Sequence, residues 1–244
     1  MKLLSNLRRT CLSIRFVLTV GFSLLACSGY AAFCQRCLSP EGSICGCSFH
    51  ALSDTPDESY DLDAFQTFNN GWTNTASGTS GLGQPAELTW SIVPDGTALP
   101  RGLGEPAAPS SLISFLDGIH HGGASPGGAD ITQRDWFQLF ESSFERWDEL
   151  SGINFSFEND DGARLPNFPG VLGVRGDHRI GGHPIDGQMS PTFLAYNFFP
   201  NLADMVIDTD EINRWGNPDR NFLRFRNMLM HEVGQGLGLS PVDS

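Results

Sequence analysis

The 244-residue chain lacks an apolar run long enough to cross a bilayer. Its longest, at 16–26, falls well short of the roughly 20 residues that a spanning helix needs. That run follows Lys2, Arg8, Arg9 and Arg15 and precedes the small-residue stretch Gly29-Tyr30-Ala31. This is the pattern of a cleavable export signal, expected over residues 1–31. Leu24-Leu25-Ala26-Cys27 also resembles a lipoprotein box, so acylation at Cys27 is a second expectation. Basic charge is scarce as well, with 15 Lys and Arg against 28 Asp and Glu. Four of the basic residues and no acidic ones lie in the first 33, so the remainder holds 11 against 28. Such a balance argues against nucleic acid and anionic membrane as partners and suits a soluble exported protein. No internal repeat is present.

Cysteine is missing from most of the chain. Cys11 and Cys27 lie in the signal, and the other four, Cys34, Cys37, Cys45 and Cys47, crowd into one stretch after it. In an exported chain two disulfides are the leading reading, with three connectivities open, and a four-thiolate metal knuckle is the alternative. Residues 48–84 are polar, acidic and turn-rich, so 32–85 reads as a Cys-containing leader and linker. Phe65, Phe68 and Trp72 are its candidates for docking onto the domain at 86–244.

Within that domain, alternating apolar residues predict strands at 86–93 and 153–157, and further strands at 171–174, 193–198 and 205–207. Trp136, Phe140, Phe144 and Trp147 recur at helical spacing and predict a helix over 131–150. A second helix is predicted from Asn217-Pro218 onward, with Phe222, Phe225, Leu229 and Val233 as its buried side. The segments 94–109 and 118–130 read as loops, with the pair His120-His121 exposed in the second. The expected class is α+β: a twisted, mixed five-stranded sheet with two long helices.

The second helix carries His231-Glu232-Val233-Gly234-Gln235-Gly236-Leu237-Gly238-Leu239-Ser240-Pro241. Residues at i and i+4 lie one above the other on a helix face, so His231 and position 235 share a side. Glu232 sits about 100° further round. Gly238 allows the helix to stop and the chain to turn back toward position 241. A catalytic zinc uses three protein ligands and one open position for water. Gln235 offers only a neutral amide oxygen, and the side chain of Pro241 offers nothing.

This stretch is similar to the metzincin zinc-peptidase signature H-E-x-x-H-x-x-G-x-x-H, with His231, Glu232 and Gly238 in place and Gln235 and Pro241 at the other two His positions. Residues upstream resemble the matrixin branch. They are Val174-Arg175-Gly176-Asp177-His178-Arg179 with Ile185-Asp186-Gly187, then Leu194-Ala195-Tyr196-Asn197-Phe198-Phe199-Pro200. Asp204-Met205-Val206-Ile207-Asp208-Thr209-Asp210-Glu211 follows, with Trp215 after it. The resemblance implies the upper subdomain of a secreted zinc endopeptidase. It hydrolyses polypeptides through a zinc-activated water, with His231 as ligand, Gln235 as a poor ligand and Glu232 as general base. The lower subdomain with its Met-turn is expected to be missing.

The same resemblance implies a calcium site at Asp186, Gly187, Asp208 and Glu211, whose oxygen donors suit that ion. The family's second, structural zinc uses a His-x-Asp and one His on each of two strands. Those positions read His178-Arg179-Ile180, Tyr196 and Val206 here, with His183 as a partial substitute, so no structural zinc is expected. Two readings of function stay open: an endopeptidase impaired by Gln235 and Pro241, and an inactive or decayed relative that binds peptide and calcium. In the second, the edge strand at 193–198 pairs with an extended peptide.

Overall fold

The computed structural model describes residues 86–121, 128–187 and 193–240, together with 71–79, Gly81, Gln84 and the backbone of three earlier strands. The predicted signal, Cys27, Phe65, Phe68 and Pro241 lie outside the described residues. Strand β6 (Ala86–Ile92) buries Leu88, Trp90 and Ile92 as expected. Thr89 and Ser91 on its other face are also buried, because Thr89 bonds the Asp177 carboxylate and Ser91 the Asp160 carboxylate. Both faces of the sheet are therefore covered. Strand β7 (Ile153–Phe157) pairs parallel with β6 on one side.

On the other side of β6 runs β8 (His178–His183), also parallel. The strand predicted at 171–174 is not there. Val171 bridges Arg175 around Gly173 at φ +72°, and Val171 and Leu172 are exposed. Those apolar residues form the tip of a tight turn, and the strand begins after it. The sequence His-Arg-Ile-Gly-Gly-His carries no apolar alternation, yet all six residues are buried. Its glycines are required by close approach: a Cβ at Gly181 would lie 2.8 Å from the Leu99 side chain, and one at Gly182 2.8 Å from the Ile207 carbonyl oxygen.

Strand β10 (Met205–Asp208) pairs parallel with β8, and β9 (Ala195–Phe198) pairs antiparallel with β10. These five strands are the ones expected in number. Two more extend the sheet at β9. β2 (Ile44–Phe49) pairs with β9 and β1 (Ala32–Leu38) pairs with β2, both antiparallel. The order is β1-β2-β9-β10-β8-β6-β7. The leader thus supplies two strands of a seven-stranded sheet.

Helix α1 (Leu112–His121) was not expected. Asp95 accepts the amides of Ile113 and Ser114 at its start, and Leu112 and Leu116 are buried on the sheet. Helix α2 (Phe137–Leu150) starts later than predicted, because Asp130 starts a separate 3₁₀ turn at Ile131–Gln133. The last predicted helix is α4 (Leu223–Gly236), which starts later than expected, and a short unpredicted helix α3 (Ile212–Trp215) precedes it. Arg220, Asn221 and Phe222 all have positive φ, so the chain is not helical at Pro218, and α4 begins only after Phe222.

Trp136, Phe140, Phe144 and Trp147 from α2 meet Phe225, Leu229 and Val233 from α4 over Trp90, Ile180 and Ile207. The ring of Trp90 stacks on Phe144 at 4.5 Å. The opposite face of the sheet holds a smaller cluster containing Val93, Leu99, Tyr196 and Val206. Trp72 docks the leader as anticipated. It is 5% exposed, packs in a cluster with Leu88 and Ala203, and donates its indole N–H to the Gly236 carbonyl at 3.0 Å. β3 (Gln66–Thr67) pairs with β11 (Leu239–Ser240) nearby, and the short hairpin β4 (Asn74–Thr75) and β5 (Gly78–Thr79) follows Trp72. Trp72→Ala is expected to lower unfolding stability by about 3–5 kcal/mol, the usual loss for a buried Trp, measured by chemical denaturation. A loss under about 1 kcal/mol would show that the docking is incidental.

Candidate active site and metal positions

Helix α4 places His231, Glu232 and Gln235 together. The i, i+4 relation brings the side chains into contact, with Gln235 Nε2 at 2.5 Å from His231 Nε2. Zinc bonds imidazole nitrogen at about 2.0–2.1 Å, so two tetrahedral ligands stand about 3.3 Å apart. The amide therefore fills the place where a metal would bridge them. Burial lowers the His231 pKa to about 4, which keeps the ring neutral. Glu232 and Gln235 are buried. Gly238, at φ +96°, turns the chain after the helix as its sequence predicts, and β11 runs back to pair with β3. Among the described residues no three His, Cys, Asp or Glu side chains form a metal-ligand set. The donor set among the described residues, one imidazole and one amide, does not fit a catalytic zinc.

Beneath α4 lies a polar feature that sequence reading did not find. A Cβ at Gly236 would come within 2.7 Å of both His178 Cε1 and Asn197 Nδ2, so the helix can lie here only as glycine. His178 is fully buried, with its ring edge-on to Phe144 at 5.5 Å. Neither ring nitrogen has a hydrogen-bond partner among the described residues. Burial drops its pKa to about 3.

The positions of the family's structural zinc do not converge. His178 faces α2 and α4, whereas Tyr196 and Val206 belong to the cluster on the opposite face. There the Tyr196 hydroxyl meets Glu105 Oε1 at 3.1 Å and the Pro100 carbonyl at 3.0 Å. His183 Nε2 stands 3.7 Å from the same carboxylate oxygen. Burial and the neighbouring Glu105 push the Tyr196 pKa up. Glu105 had no sequence signal, since it sits in a turn-rich segment with no periodicity.

Of the carboxylates expected to hold calcium, Asp186 lies close enough to Asp208 to act on its charge, and the described residues do not gather three of them into one ligand set. Asp208 Oδ1 accepts the amides of Ile185 and Asp210, and Asp186 Oδ2 accepts the Phe193 amide. Glu211 Oε2 pairs with Arg214 at 2.6 Å. Gly187 has φ +81°. Burial first, then the charges of Asp210 and Asp186, raise the Asp208 pKa to about 6. Asp208 Oδ2 and Glu211 Oε1 are buried without hydrogen bonds among the described residues. His120 ends α1 half-buried against the Phe222 ring at 4.5 Å, a packing contact rather than an exposed loop position.

A mixed sheet under two long helices, the second bearing His-Glu and closed by a glycine turn, is the framework of a metallopeptidase domain. Residues 125–243 match the Peptidase_M10 (Matrixin) family model. That span is a matrixin-type catalytic domain. No curated protein matches the chain.

The His178 pKa lies below the ordinary value of about 6.5, so its neutral form favours the folded state. That stability is complete above about pH 6.5 and is lost as pH falls from there toward 3. His178→Leu is therefore expected to flatten the pH dependence of unfolding free energy between pH 6 and 4.5 by about 1.4 kcal/mol per pH unit, one proton's worth. An unchanged slope in denaturant titrations would mean that His178 is not the buried neutral group.

Proposed function

We propose that this chain is an exported matrixin whose hydrolytic centre is impaired and whose retained capacity is to hold an extended polypeptide along β9. The carrying observation is the contact of Gln235 with His231 at 2.5 Å, on the helix face where the family sequence signature has two imidazoles. Glu232 remains as the would-be general base, but the described residues give it no metal-held water to act on. Peptide binding is supported by the course of β9 beside α4: its side away from β10 takes an extended antiparallel strand, which in this structure is β2. Export rests on the sequence of residues 1–31, with Cys27 acylation as its variant. No described helix is long and apolar enough to cross a membrane.

Metal analysis of the dialysed protein is expected to give well under one zinc per chain. Gln235→His is expected to raise zinc affinity by about two orders of magnitude, one ligand's share of a typical structural-zinc binding energy. Gln235→His with Pro241→His should raise it further. Chelator-resistant stoichiometric zinc in the unmodified chain, or peptidase activity that Glu232→Ala abolishes, would overturn the impaired-site reading.

Calcium at Asp186, Gly187, Asp208 and Glu211 is a second part of the proposal. It is favoured by the raised Asp208 pKa, which marks buried negative charge short of a counter-cation. A carboxyl whose folded pKa is raised makes the fold less stable as pH climbs from about 4 to about 6. Calcium at pH 7 is therefore expected to raise the melting midpoint, and Asp208→Asn to abolish that rise. A midpoint insensitive to calcium, or an equal gain in the variant, would count against the site.

A further inference from the structure

The edge of β9 that would take an extended peptide is already taken by the chain itself. β2 runs antiparallel along it, with Ile44 opposite Phe198, Cys45 opposite Asn197, Gly46 opposite Tyr196 and Cys47 opposite Ala195. It is strand addition in cis, formed by a segment outside the matrixin match at 125–243. β2 also passes close to α4, the helix that carries His231 and Glu232. The ladder with β9 is only these four residue pairs long, short enough to exchange with a competing strand. The leader is anchored a second time by Trp72 at Gly236 and by β3 on β11, so a released β2 stays tethered beside the edge.

The four clustered cysteines fall within this hairpin. Cys37 is the register partner of Cys45. Cys34 lies in the register shift between Phe33 and Arg36, across from the stretch between Gly46 and Ser48 that contains Cys47. Of the three connectivities open to the sequence, this register selects Cys37 with Cys45 and Cys34 with Cys47. Both links would join β1 to β2 and none would join the hairpin to the domain.

We propose that Ile44–Phe49 is a built-in occupant of the peptide-binding edge and that the redox state of the hairpin governs its release. With both disulfides formed, β1 and β2 stay paired and β2 keeps its place on β9. Reduction of each disulfide takes two electrons and two protons from a dithiol, which leaves as its own disulfide. The hairpin then loses its cross-links, and an outside strand can displace β2. This device rests on the reading of β9 as a peptide-binding edge.

The test uses the full chain and a fluorescent decapeptide with the sequence of residues 42–51, serine replacing Cys45 and Cys47, followed by fluorescence anisotropy. Binding to the oxidised protein should be weak. Reduction should tighten it by roughly tenfold to a hundredfold, the effect expected of a cross-link over so short a loop. The variant carrying Cys34→Ser, Cys37→Ser, Cys45→Ser and Cys47→Ser should bind like the reduced chain without reductant. Gly46→Pro, which removes a ladder amide from the middle of β2 and alters no residue of the matched span, should do the same. Non-reducing peptide mapping should find Cys37 linked to Cys45 and Cys34 to Cys47; any other pairing overturns the redox control. Equal affinity for the oxidised, reduced and Gly46→Pro proteins overturns the cover but leaves β9 as a peptide-binding edge. No binding to any of them, in protein whose melting transition is intact, overturns both.

Discussion

The close seating of α4 on the sheet is the constraint from which the rest of the site follows. Gly236 lets the helix backbone pass directly over His178 and Asn197, and Gly234 does the same against the Trp147 ring. A side chain at either place would lift the helix and carry His231 and Glu232 with it. The seating leaves His178 buried without a hydrogen-bond partner among the described residues, an arrangement that favours the neutral ring. It also puts the end of α4 within reach of Trp72, whose indole caps the Gly236 carbonyl. A helix end, a strand pair and a leader residue are thus fixed by one close approach.

The opposite face of the sheet is held by a network of polar groups. Asp177 accepts the amides of Ala76, Thr89 and Gly170, tying the leader, β6 and the preceding loop to one carboxylate. Arg179 is buried against Asp160, which also takes the Ser91 hydroxyl. Beside them Asp204 is buried deeply enough that its pKa rises to about 8, against the pull of Arg179. Tyr196 with Glu105 occupies the strand position where the family places a metal-binding histidine. Such a network stabilises the fold only while every member keeps its partner. It commits this face to structure.

Leader strands border α4 at two places. β2 lies along β9, while β3 pairs with β11 immediately after the turn at Gly238. Residues far apart in sequence thereby border the same helix. In physical terms the edge strand is covered, which also removes an exposed row of backbone donors and acceptors from solvent.

The sequence by itself determined the likeness of its C-terminal half to a matrixin catalytic domain, the five domain strands in number, the long aromatic helix and the sharing of one helix face by His231 and position 235. These are local signals: side-chain period, residue type and the order of short motifs. It misplaced one strand at 171–174, because a tight turn with exposed apolar residues mimics a strand, whereas His178–His183 has no alternation to reveal its burial on both faces. It missed α1 and the late start of α4, where positive φ at Arg220, Asn221 and Phe222 overrides the helix-start signal of Pro218. Glu105 beside Tyr196, the lone His178 under Gly236 and the leader strand on β9 were decided by tertiary structure alone. Each joins residues far apart in the chain, and only packing brings such residues to one place.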